Sequence, residues 1–572
     1  MLDKNLNDFK IKIVKLPAFY EKYQIHSTEL NCVLLPPLAL GQITAYLRMR
    51  NLNIDQDDLN IKIHYDNRYS DSPADKIDES LFFDEERVIK YYKGYKDEYL
   101  DLNLEKVIKK SKFEEHRVIL LSIHEFTRNL SNIMFALSFA RFLKKKYNPI
   151  IGIGGSFGAA IDLLGSKYKG ENIDFLVQGP GEVVLFELLI ALKNRQRLTM
   201  TSTVSFSEDT RTLRAETKGL VKPDFTGLPL EKYKYRGMNS NYNKENLKII
   251  EEFSQSETLI LPFKFLRGCP FECIFCYESS SKLSCVMPPP KVVPYLRELK
   301  QRYNPTGFFF LSDTINISKR YIDALCNEII SNKLEVLWSD CARVDYLDRD
   351  LIFKLRRAGC IRLIYGIETA SPRMLEYINK NVDLERLEKV LKWTDEAGIW
   401  TGLEIICGLP HEREEDINST ILFLNKNRKY INRIYYNVFD LKNRSKLFQD
   451  PVRYNIKNIT GLYQYPKDDE SMFNRDYIHF GFDEIGGLNW KDKEKQMLYS
   501  YNKVVKEIGE EPFPYLEEEH FLFFLYSKYQ DKNKISSIFN QVGIQKRNYC
   551  EQEKIKPKKE YYNGKQLIVN LK

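Results

Sequence analysis

The sequence predicts an α/β protein in which two strand–helix series are followed by a mainly helical C-terminal part. The first 195 residues alternate five apolar, strand-like segments with amphipathic helices, and a second series with six such segments begins at Leu259. Alternating strands and helices are typical of parallel sheets covered by helices. The 572 residues also exceed what one core can organise and correspond to about three or four domains.

The first series is predicted to form a doubly wound parallel sheet. Helices are expected at 37–50, where Pro37 suits a helix start, near 130–146, and from Glu182 to about Lys193. A charged stretch near 70–115 is predicted to be a helical insertion. Ligands of such sheets bind beyond the carboxyl ends of the strands. The predicted strands are 11–17, 61–66, 117–123, 149–156 and 173–179.

The second series is predicted to form a partial or full TIM-type barrel, with an active site at the carboxyl ends of its strands. Its predicted strands are 259–266, 307–313, 334–340, 361–368, 400–408 and 432–439. Helices are predicted between them at 318–332, 348–358, 383–397 and 412–427. The domain prediction is 1–195 for the first sheet, 196–255 for a linker with local structure, 256–445 for the barrel, and 446–572 for a C-terminal cap that binds substrate.

Composition excludes several classes of protein. Hydrophobic residues make up 43% and charged residues 29% of the chain, which is ordinary for a globular protein and unlike a disordered one. No apolar run reaches the roughly 18 residues of a membrane-spanning helix, and the N-terminus lacks the features of a signal peptide. The net charge of +8 is dispersed, which argues against a nucleic-acid partner. We therefore expect a cytoplasmic protein that does not bind membranes.

Three of the ten cysteines lie close together in the sequence. Cys269, Cys273 and Cys276 form a CxxxCxxC pattern directly after the first predicted barrel strand. Three thiolates on a short loop can hold a [4Fe–4S] cluster and leave one iron open to a substrate or cofactor. A zinc site would need a fourth ligand, for which Cys285 is the only local cysteine. The pattern favours the iron–sulfur cluster over zinc.

This pattern after the first strand of a βα barrel resembles the radical S-adenosylmethionine (SAM) superfamily. Phe275 occupies the aromatic position before the third cysteine. The segments WSDCARVD, YGIETASPRML and EIICGLPHE, at the ends of the third, fourth and fifth strands, resemble the R-x-D, G-I-E and G-L-P elements of that superfamily. FLSDTIN ends the second strand, and the resemblance covers about residues 256–440.

The N-terminal series resembles the Rossmann-like cobalamin (B12)-binding domain that precedes the barrel in one branch of the superfamily. The segments that carry this likeness are SIHEFTRNLSNIMFALSFARFLKKKYNPIIGIGGSFG and DFLVQGPGEVVLFELL. The resemblance implies that His124, Gly154, Gly155 and Gly179 lie at the cobalamin face. No D-x-H-x-x-G is present, so no lower-ligand histidine of the mutase type is expected. The alternative is a domain that keeps its sheet without binding cobalamin.

The resemblance also implies roles for individual residues. Cys269, Cys273 and Cys276 would hold the cluster. The residues implied to contact SAM are Phe275, Asp313, Arg343, Gly366, Glu368 and Gly408. Each of them has an alternative role in an ion pair, a helix cap, a turn or simple packing. Cys341 and Cys407, at the ends of the third and fifth strands, are candidate donors of a hydrogen atom to a substrate radical, and their alternative role is as core thiols.

The resemblance predicts a radical SAM enzyme that methylates an unactivated carbon, with methylcobalamin as the methyl donor. The substrate would be a peptide, as in the biosynthesis of ribosomally made natural products (RiPPs), or another small natural-product intermediate. An external reductant such as flavodoxin or ferredoxin would supply electrons to the cluster. The alternatives are radical epimerisation, rearrangement or oxidation without methyl transfer, and, ranked last, a factor that modifies RNA.

Overall fold

The computed structural model describes residues 9–19, 35–123, 130–155, 164, 172–196, 204–206, 212–215, 220–234, 248–277, 283, 285–461, 479–509, 515–552, 560–562 and 565–567. The chain divides into two compact units. The first comprises Met1–Ile25, Leu35–Tyr233 and Arg475–Ile478, and the second comprises His26–Leu34, Lys234–Asn474 and His479–Lys572. Each unit contains a sheet of mainly parallel strands together with helices, which confirms the predicted α/β class. None of the described helices is long and apolar enough to cross a membrane.

The first unit is built on a seven-stranded sheet with the order β2-β1-β3-β4-β5-β7-β6. Its strands are β1 Ile11–Lys15, β2 Ile54–Asp58, β3 Val118–Ser122, β4 Ile150–Gly155, β5 Phe175–Gln178, β6 Val204–Phe206 and β7 Thr212–Ala215. Neighbouring strands are parallel, apart from the antiparallel pair β6 and β7. β2 lies on one side of β1, and β3 lies on the other side, so the order of the strands reverses at β1. The crevice beyond the carboxyl ends of β1 and β3 is therefore the expected ligand site of this sheet.

Six helices longer than one turn accompany this sheet within the described part of the first unit. They are α1 Leu38–Arg48, α2 Leu59–Tyr69, α3 Glu85–Tyr92, α4 Glu98–Lys109, α5 Leu130–Tyr147 and α6 Glu182–Lys193. Apolar residues of α1 and α6 share one buried cluster with residues of β1, β2, β3 and β5. Phe135 of α5 packs against Phe19 and Phe82, with ring centroids 5.7 Å and 4.9 Å apart. The helices around 79–109 agree with the predicted helical insertion.

The strand predicted at 61–66 is wrong, because these residues lie in α2 and the strand is the polar segment just before them. Asp58 ends β2, and its carboxylate accepts the backbone N–H of Ile61 at 3.0 Å and so caps α2. The polar side chains of the real strand have partners elsewhere: the amide of Gln56 donates to the carbonyl of Asp224 at 2.6 Å. The alternation in IKIHYD favours a strand locally, whereas the partners of β2 lie far along the chain.

The segment 220–234, which includes the short helix α7 Leu230–Tyr233, runs along the edge strand β2. Arg48 pairs with Asp224 at 2.8 Å, and the buried hydroxyl of Tyr233 donates to Asp58 at 2.5 Å. At the opposite edge of the sheet, β7 pairs with β5 and carries β6 beyond it. Both additions come from the stretch in which the sequence predicts a linker with local structure.

The second unit is built on a six-stranded parallel sheet with the order β15-β14-β13-β12-β11-β8. Its strands are β8 Ile260–Phe263, β11 Gly307–Phe310, β12 Trp338–Ala342, β13 Cys360–Glu368, β14 Trp400–Cys407 and β15 Arg433–Val438. A two-stranded ribbon, β9 Leu266–Arg267 with β10 Cys285–Val286, follows β8. The linear order, with β8 and β15 at its ends, agrees with the predicted partial barrel of six βα units.

Helices lie between the barrel strands and form most of the C-terminal part that the structure describes. They are α8 Lys248–Gln255, α9 Pro289–Tyr303, α10 Lys319–Ser331, α11 Arg349–Arg357, α12 Pro372–Tyr377, α13 Leu384–Glu396, α14 Glu414–Asn427, α15 Lys446–Gln449, α16 Trp490–Ile508, α17 Tyr515–Tyr529 and α18 Lys532–Gln552. Two hairpins, β16 Ile456–Gly461 with β17 Phe480–Glu484 and β18 Glu560–Tyr562 with β19 Lys565–Leu567, were not predicted.

Helix α17 brings two buried carboxylates to the amino-terminal end of the barrel strands. Glu518 pairs with Arg433, the first residue of β15, and Glu519 pairs with Arg362 near the start of β13. The Ser339 hydroxyl donates to Glu519 at 2.5 Å. All five side chains are buried. Charges buried at this depth are tolerated because each has an opposite charge or a hydrogen-bond partner.

Candidate active site

The three cysteines of the CxxxCxxC pattern lie on one loop that follows the first barrel strand. The ribbon of β9 and β10 forms the base of this loop. Inside the loop, the backbone N–H of Ile274 donates to the carbonyl of Ile378 at 3.1 Å, and that of Cys276 donates to the carbonyl of Cys273 at 3.2 Å. Cys273 is buried, whereas Cys269 and Cys276 are half-buried. The loop is therefore anchored to the barrel, while two of its three cysteines remain partly exposed.

The surroundings of these thiols fit the ligands of an iron–sulfur cluster. The Arg343 guanidinium donates from Nη1 to the sulfur of Cys273 at 3.5 Å. Burial raises the pKa of the Cys269 thiol, and the nearby Cys273 raises that pKa further. In the ranges that the structure describes, no three Cys, His, Asp or Glu side chains already surround one point as metal ligands. Thiolates are the ligands of iron–sulfur clusters. The loop suits such a cluster because it carries three thiols and lies beside the Arg343 cation.

Arg343 connects the third barrel strand to the cysteine loop. Besides its contact with Cys273, it donates from Nε to Asp345 at 2.7 Å and from Nη2 to the carbonyl of Lys380 at 2.7 Å. Its guanidinium lies 4.0 Å from the centre of the Phe271 ring, a cation–π contact. These four partners fix the orientation of the Arg343 side chain. The R-x-D element therefore packs directly against the cysteine loop.

Glu368 and Lys380 form a buried ion pair beside the cysteine loop. The Lys380 ammonium donates to Glu368 at 2.5 Å and lies 5.7 Å from the centre of the Phe275 ring. Burial lowers the pKa of Lys380, but Glu368 and Cys273 outweigh burial and raise it. A Cβ at Gly366 would lie 2.6 Å from the Glu368 carboxylate, so only glycine leaves room for the pair. The structure thus brings Phe275, Gly366 and Glu368 together, and no sequence motif pointed to Lys380.

Asp313, at the end of the second barrel strand, reaches the start of the cysteine loop. Its carboxylate accepts the backbone N–H of Gly268 at 3.0 Å and lies 3.4 Å from the Lys264 ammonium. Gly268 has φ +82°, a conformation that favours glycine. Asp313 therefore holds the turn that leads into Cys269.

The alternation of the strands separates the two cysteines that were candidate hydrogen-atom donors. The hydroxyl of Tyr365 contacts Thr394 of α13 at 2.9 Å, which identifies the face of β13 that carries Tyr365 as the side covered by helices. Pairing of β12, β13 and β14 places Cys341 and Glu404 on the other face, toward the barrel interior. Cys407, three residues after Glu404, faces the helices, so Cys407 does not share the interior with Cys341. Burial raises the pKa of both thiols.

Glu404 is an interior carboxyl group that sequence reasoning missed. It lies opposite Gly366 in the pairing of β14 with β13. Burial and the neighbouring Glu368 raise its pKa from 4.5 to about 7, although Lys380 and Arg362 oppose that shift. A charged residue inside the apolar run WTGLEIICG was the signal that could have revealed it.

The raised pKa of Glu404 predicts a pH-dependent stability that Glu404→Gln should remove. A carboxyl that holds its proton more tightly when folded contributes stability that is fully present below pH 4.5 and is lost as the pH rises through about 7. We expect a loss on the order of 2 kcal/mol between those values in the wild type relative to the variant. Urea unfolding at pH 5 and pH 8 measures it, with the exposed Glu415→Gln as the control. An identical pH response of wild type and Glu404→Gln would contradict the prediction.

Gly408 lies in the loop after β14 and has φ +80°. Its backbone N–H donates to Glu412 at 2.8 Å. A Cβ at this position would lie 2.4 Å from the side chain of Met497 in α16. Glycine is therefore required both by the backbone conformation and by the close approach of a C-terminal helix.

In the first unit, the predicted cobalamin residues lie at the carboxyl edge of the sheet, apart from His124, which is outside the described residues. A Cβ at Gly155 would lie 2.8 Å from the carbonyl of Ile123, whereas one at Gly154 would make only ordinary contacts. Gly179 follows β5 with φ +87°. The sheet itself therefore requires Gly155 and Gly179, whatever ligand is bound.

Two buried amides at this edge have polar atoms without a hydrogen-bond partner among the described residues. Asn132, near the start of α5, donates to the carbonyl of Pro17 at 2.6 Å, but its Oδ1 has no partner. The Nε2 atom of Gln42 in α1 also has none. Buried polar atoms without partners are costly, so they fit a site that receives a ligand rich in hydrogen-bonding groups.

Comparison with known protein families identifies a domain within the second unit. The model of the radical SAM superfamily matches residues 263–424, which begin at the last residue of β8 and contain the cysteine loop and the four barrel strands β11 to β14. The chain carries a radical SAM domain. This domain implies a [4Fe–4S] cluster and SAM as cofactors, in agreement with the cysteine pattern.

Curated relatives match the chain over less than half of its length. The methyltransferase PH0819 of Pyrococcus horikoshii, whose own function is uncharacterised, is 27% identical over 266 residues, 44% of this chain and 53% of the relative. The anaerobic magnesium-protoporphyrin IX monomethyl ester cyclase of Rubrivivax gelatinosus is 29% identical over 298 residues, 49% of each chain. The chain thus spans about half the length of these relatives.

Solved structures match nearly the whole chain in fold. The radical SAM methyltransferase TsrM of Kitasatospora setae, solved with cobalamin and a [4Fe–4S] cluster, has a TM-score of 0.58 at 12% identity and covers 96% of this chain and 100% of its own. The cobalamin-dependent radical SAM enzyme OxsB has a TM-score of 0.56 at 13% identity, over 96% of this chain and 76% of its own. At such identities the likeness establishes a shared fold around the radical SAM domain.

Proposed function

We propose that this radical SAM enzyme is a cobalamin-dependent methyltransferase that acts on an unactivated carbon of a peptide or natural-product intermediate. The observation that carries the proposal is the loop of Cys269, Cys273 and Cys276 beside Arg343, in a chain whose first unit also has a mainly parallel sheet. Methyltransferases among the relatives and the shared fold with TsrM support the same activity.

The residues of the barrel would hold the cofactors and shield the reaction. The three cysteines would bind the cluster, and the bound cluster and SAM would supply the radical that removes a substrate hydrogen atom. Arg343 and the Glu368–Lys380 pair place fixed charges beside the cysteine loop, where the amino and carboxylate groups of SAM need partners. At the amino-terminal end of the barrel strands, Glu518 and Glu519 form buried ion pairs with Arg433 and Arg362 and would help to exclude water from the interior. Positioning and shielding are what a protein contributes to such chemistry.

The first unit would hold cobalamin at the carboxyl edge of its sheet. Gln42 and Asn132 each have one buried amide atom without a partner among the described residues, and these atoms could bind the amide side chains of a corrin ring. The sequence lacks D-x-H-x-x-G, so we propose binding without a histidine of the mutase type beneath the metal.

Radical oxidation without methyl transfer is the second candidate function. The match to the anaerobic cyclase of Rubrivivax gelatinosus favours it, since that relative is named for a cyclisation. An epimerisation would instead return a hydrogen atom to the substrate radical, and Cys341, which lies on the interior face of β12, would be the candidate donor.

Transfer of a labelled methyl group to cobalamin tests the proposal without knowledge of the substrate. The anaerobically reconstituted enzyme, given reduced hydroxocobalamin and SAM with a deuterated methyl group, is expected to yield deuterated methylcobalamin, detected by mass spectrometry. Cleavage of further SAM to 5′-deoxyadenosine should require the reduced cluster. A full methyltransferase cycle would consume two SAM per product. Formation of 5′-deoxyadenosine without any labelled methylcobalamin would favour the second candidate.

A further inference from the structure

Helix α16 of the C-terminal part holds the backbone of the loop that follows the fifth barrel strand. The Lys493 ammonium, completely buried, donates to the carbonyl of Leu409 at 2.6 Å. Gln496, one turn further along the helix, contacts the Glu412 carboxylate at 3.3 Å. Met497 fills the space beside Gly408. The loop is thus covered by three side chains from one face of α16.

Two carboxylates around Lys493 bind the same loop. Glu484 pairs with Lys493 at 2.9 Å and accepts the backbone N–H of His411 at 2.7 Å. Glu412 accepts the backbone N–H of Gly408 at 2.8 Å. Burial lowers the pKa of Lys493, while Glu484 and Glu412 oppose that shift. The loop backbone is therefore held at three positions by a compact group of buried charges.

This loop continues the strand that lines the interior beside the cysteine loop. Glu404 lies four residues before Gly408 and faces Gly366, which adjoins the Glu368–Lys380 pair next to Phe275. In βα barrels, the loops at the carboxyl ends of the strands form the active site. A change in the course of the loop would therefore alter the site directly.

We propose that Lys493 is a positioning residue that sets the shape of the Gly408–Glu412 loop for SAM binding. The inference rests on the proposed radical SAM function. The contact of Lys493 with a backbone carbonyl acts independently of the loop side chains, so it fixes the main chain at the end of the strand. Lys493 comes from the C-terminal part and lies outside the residues matched by the superfamily. SAM binding would thus depend on a helix that the family domain does not contain.

The affinity for SAM of Lys493→Met tests the proposal in the full-length, cluster-loaded protein. Methionine keeps the length of the side chain and removes the ammonium. We expect the Kd for SAM, measured by anaerobic equilibrium dialysis, to rise about tenfold. The iron content should stay unchanged, and the EPR signal of the reduced cluster should respond to SAM only at higher SAM concentrations. The control is Lys495→Met on the same helix, whose side chain is 68% exposed and which should bind SAM like the wild type.

The double variant Lys493→Met/Glu484→Gln separates positioning from simple stabilisation. Removing Lys493 alone leaves a buried carboxylate without its cation, whereas the glutamine removes that charge and can still accept the N–H of His411. We expect the double variant to recover thermal stability but to retain the weak SAM binding, because the Leu409 carbonyl still lacks its donor. If Lys493→Met alone does not fold, the double variant provides the comparison.

Two outcomes would overturn the inference. One is a Kd within twofold of the wild-type value in the folded variant, and the other is recovery of SAM affinity together with stability in the double variant. A wild-type cluster whose EPR signal does not respond to SAM would instead contradict the proposed function itself.

Discussion

Replacing Cys269, Cys273 and Cys276 together by alanine is expected to abolish iron binding and the cleavage of SAM. These thiols share one loop at the end of the first barrel strand, and a [4Fe–4S] cluster has no other cysteine loop of this kind in the sequence. The reconstituted wild type should contain about four irons and four sulfides per chain, measured by chemical analysis and by absorption. The variant should contain almost none and should form no 5′-deoxyadenosine.

Cys285→Ala is the matched control for this experiment. Cys285 lies in β10, at the base of the same loop, and is half-buried like two of the three motif cysteines. It should retain the full iron content and the wild-type rate of SAM cleavage. Unchanged SAM cleavage by the triple variant would remove the basis of the cluster assignment.

Arg362→Met is expected to lower the free energy of unfolding of the second unit by about 3–5 kcal/mol, because it leaves the Glu519 carboxylate buried without its cation. Urea unfolding followed by tryptophan fluorescence measures this loss selectively. All four tryptophans, Trp338, Trp393, Trp400 and Trp490, belong to the second unit. The fluorescence therefore does not report on the first unit.

Two further variants define the cause of the loss. Arg349→Met removes a cation whose side chain is 57% exposed and pairs with Glu396, and we expect a change of no more than about 0.5 kcal/mol. Arg362→Met/Glu519→Gln should recover most of the lost stability, because it removes the uncompensated charge. A double variant as unstable as Arg362→Met would show that the arginine contributes through packing instead.

The sequence predicted best those parts of the structure whose conformation depends on residues close together in the chain. Most barrel strands are apolar runs, so the sequence located them, whereas β12, with the sequence WSDCA, lies at Trp338–Ala342 and not at the predicted 334–340. The cysteine loop is encoded within eight residues. The strand β2 shows the opposite case, since its polar side chains are satisfied by residues such as Asp224 and Ser111, which are distant in sequence. No local pattern marks such a strand.

The same distinction applies to the candidate site. Asp313, Arg343 and Glu368 were predicted from motifs at strand ends, and the structure shows that each of them contacts the cysteine loop or its ion pair. Lys380 was missed because nothing near it in sequence requires a buried cation. Its position depends on a pairing with Glu368 twelve residues earlier. The SAM and cobalamin contacts of these residues stay predictions.

Residues beyond the fifth strand cover the edges of the sheet in the first unit, and this affects whether a fragment of the unit would aggregate. Strand edges with free backbone groups readily pair with other chains, and proteins avoid aggregation by covering them. Here the segment 220–234 lies along β2, and β7 covers β5. A fragment ending at residue 195 would lose both covers and would expose two strand edges to pairing between molecules. The solubility of this sheet therefore depends on residues that contribute nothing to its first five strands.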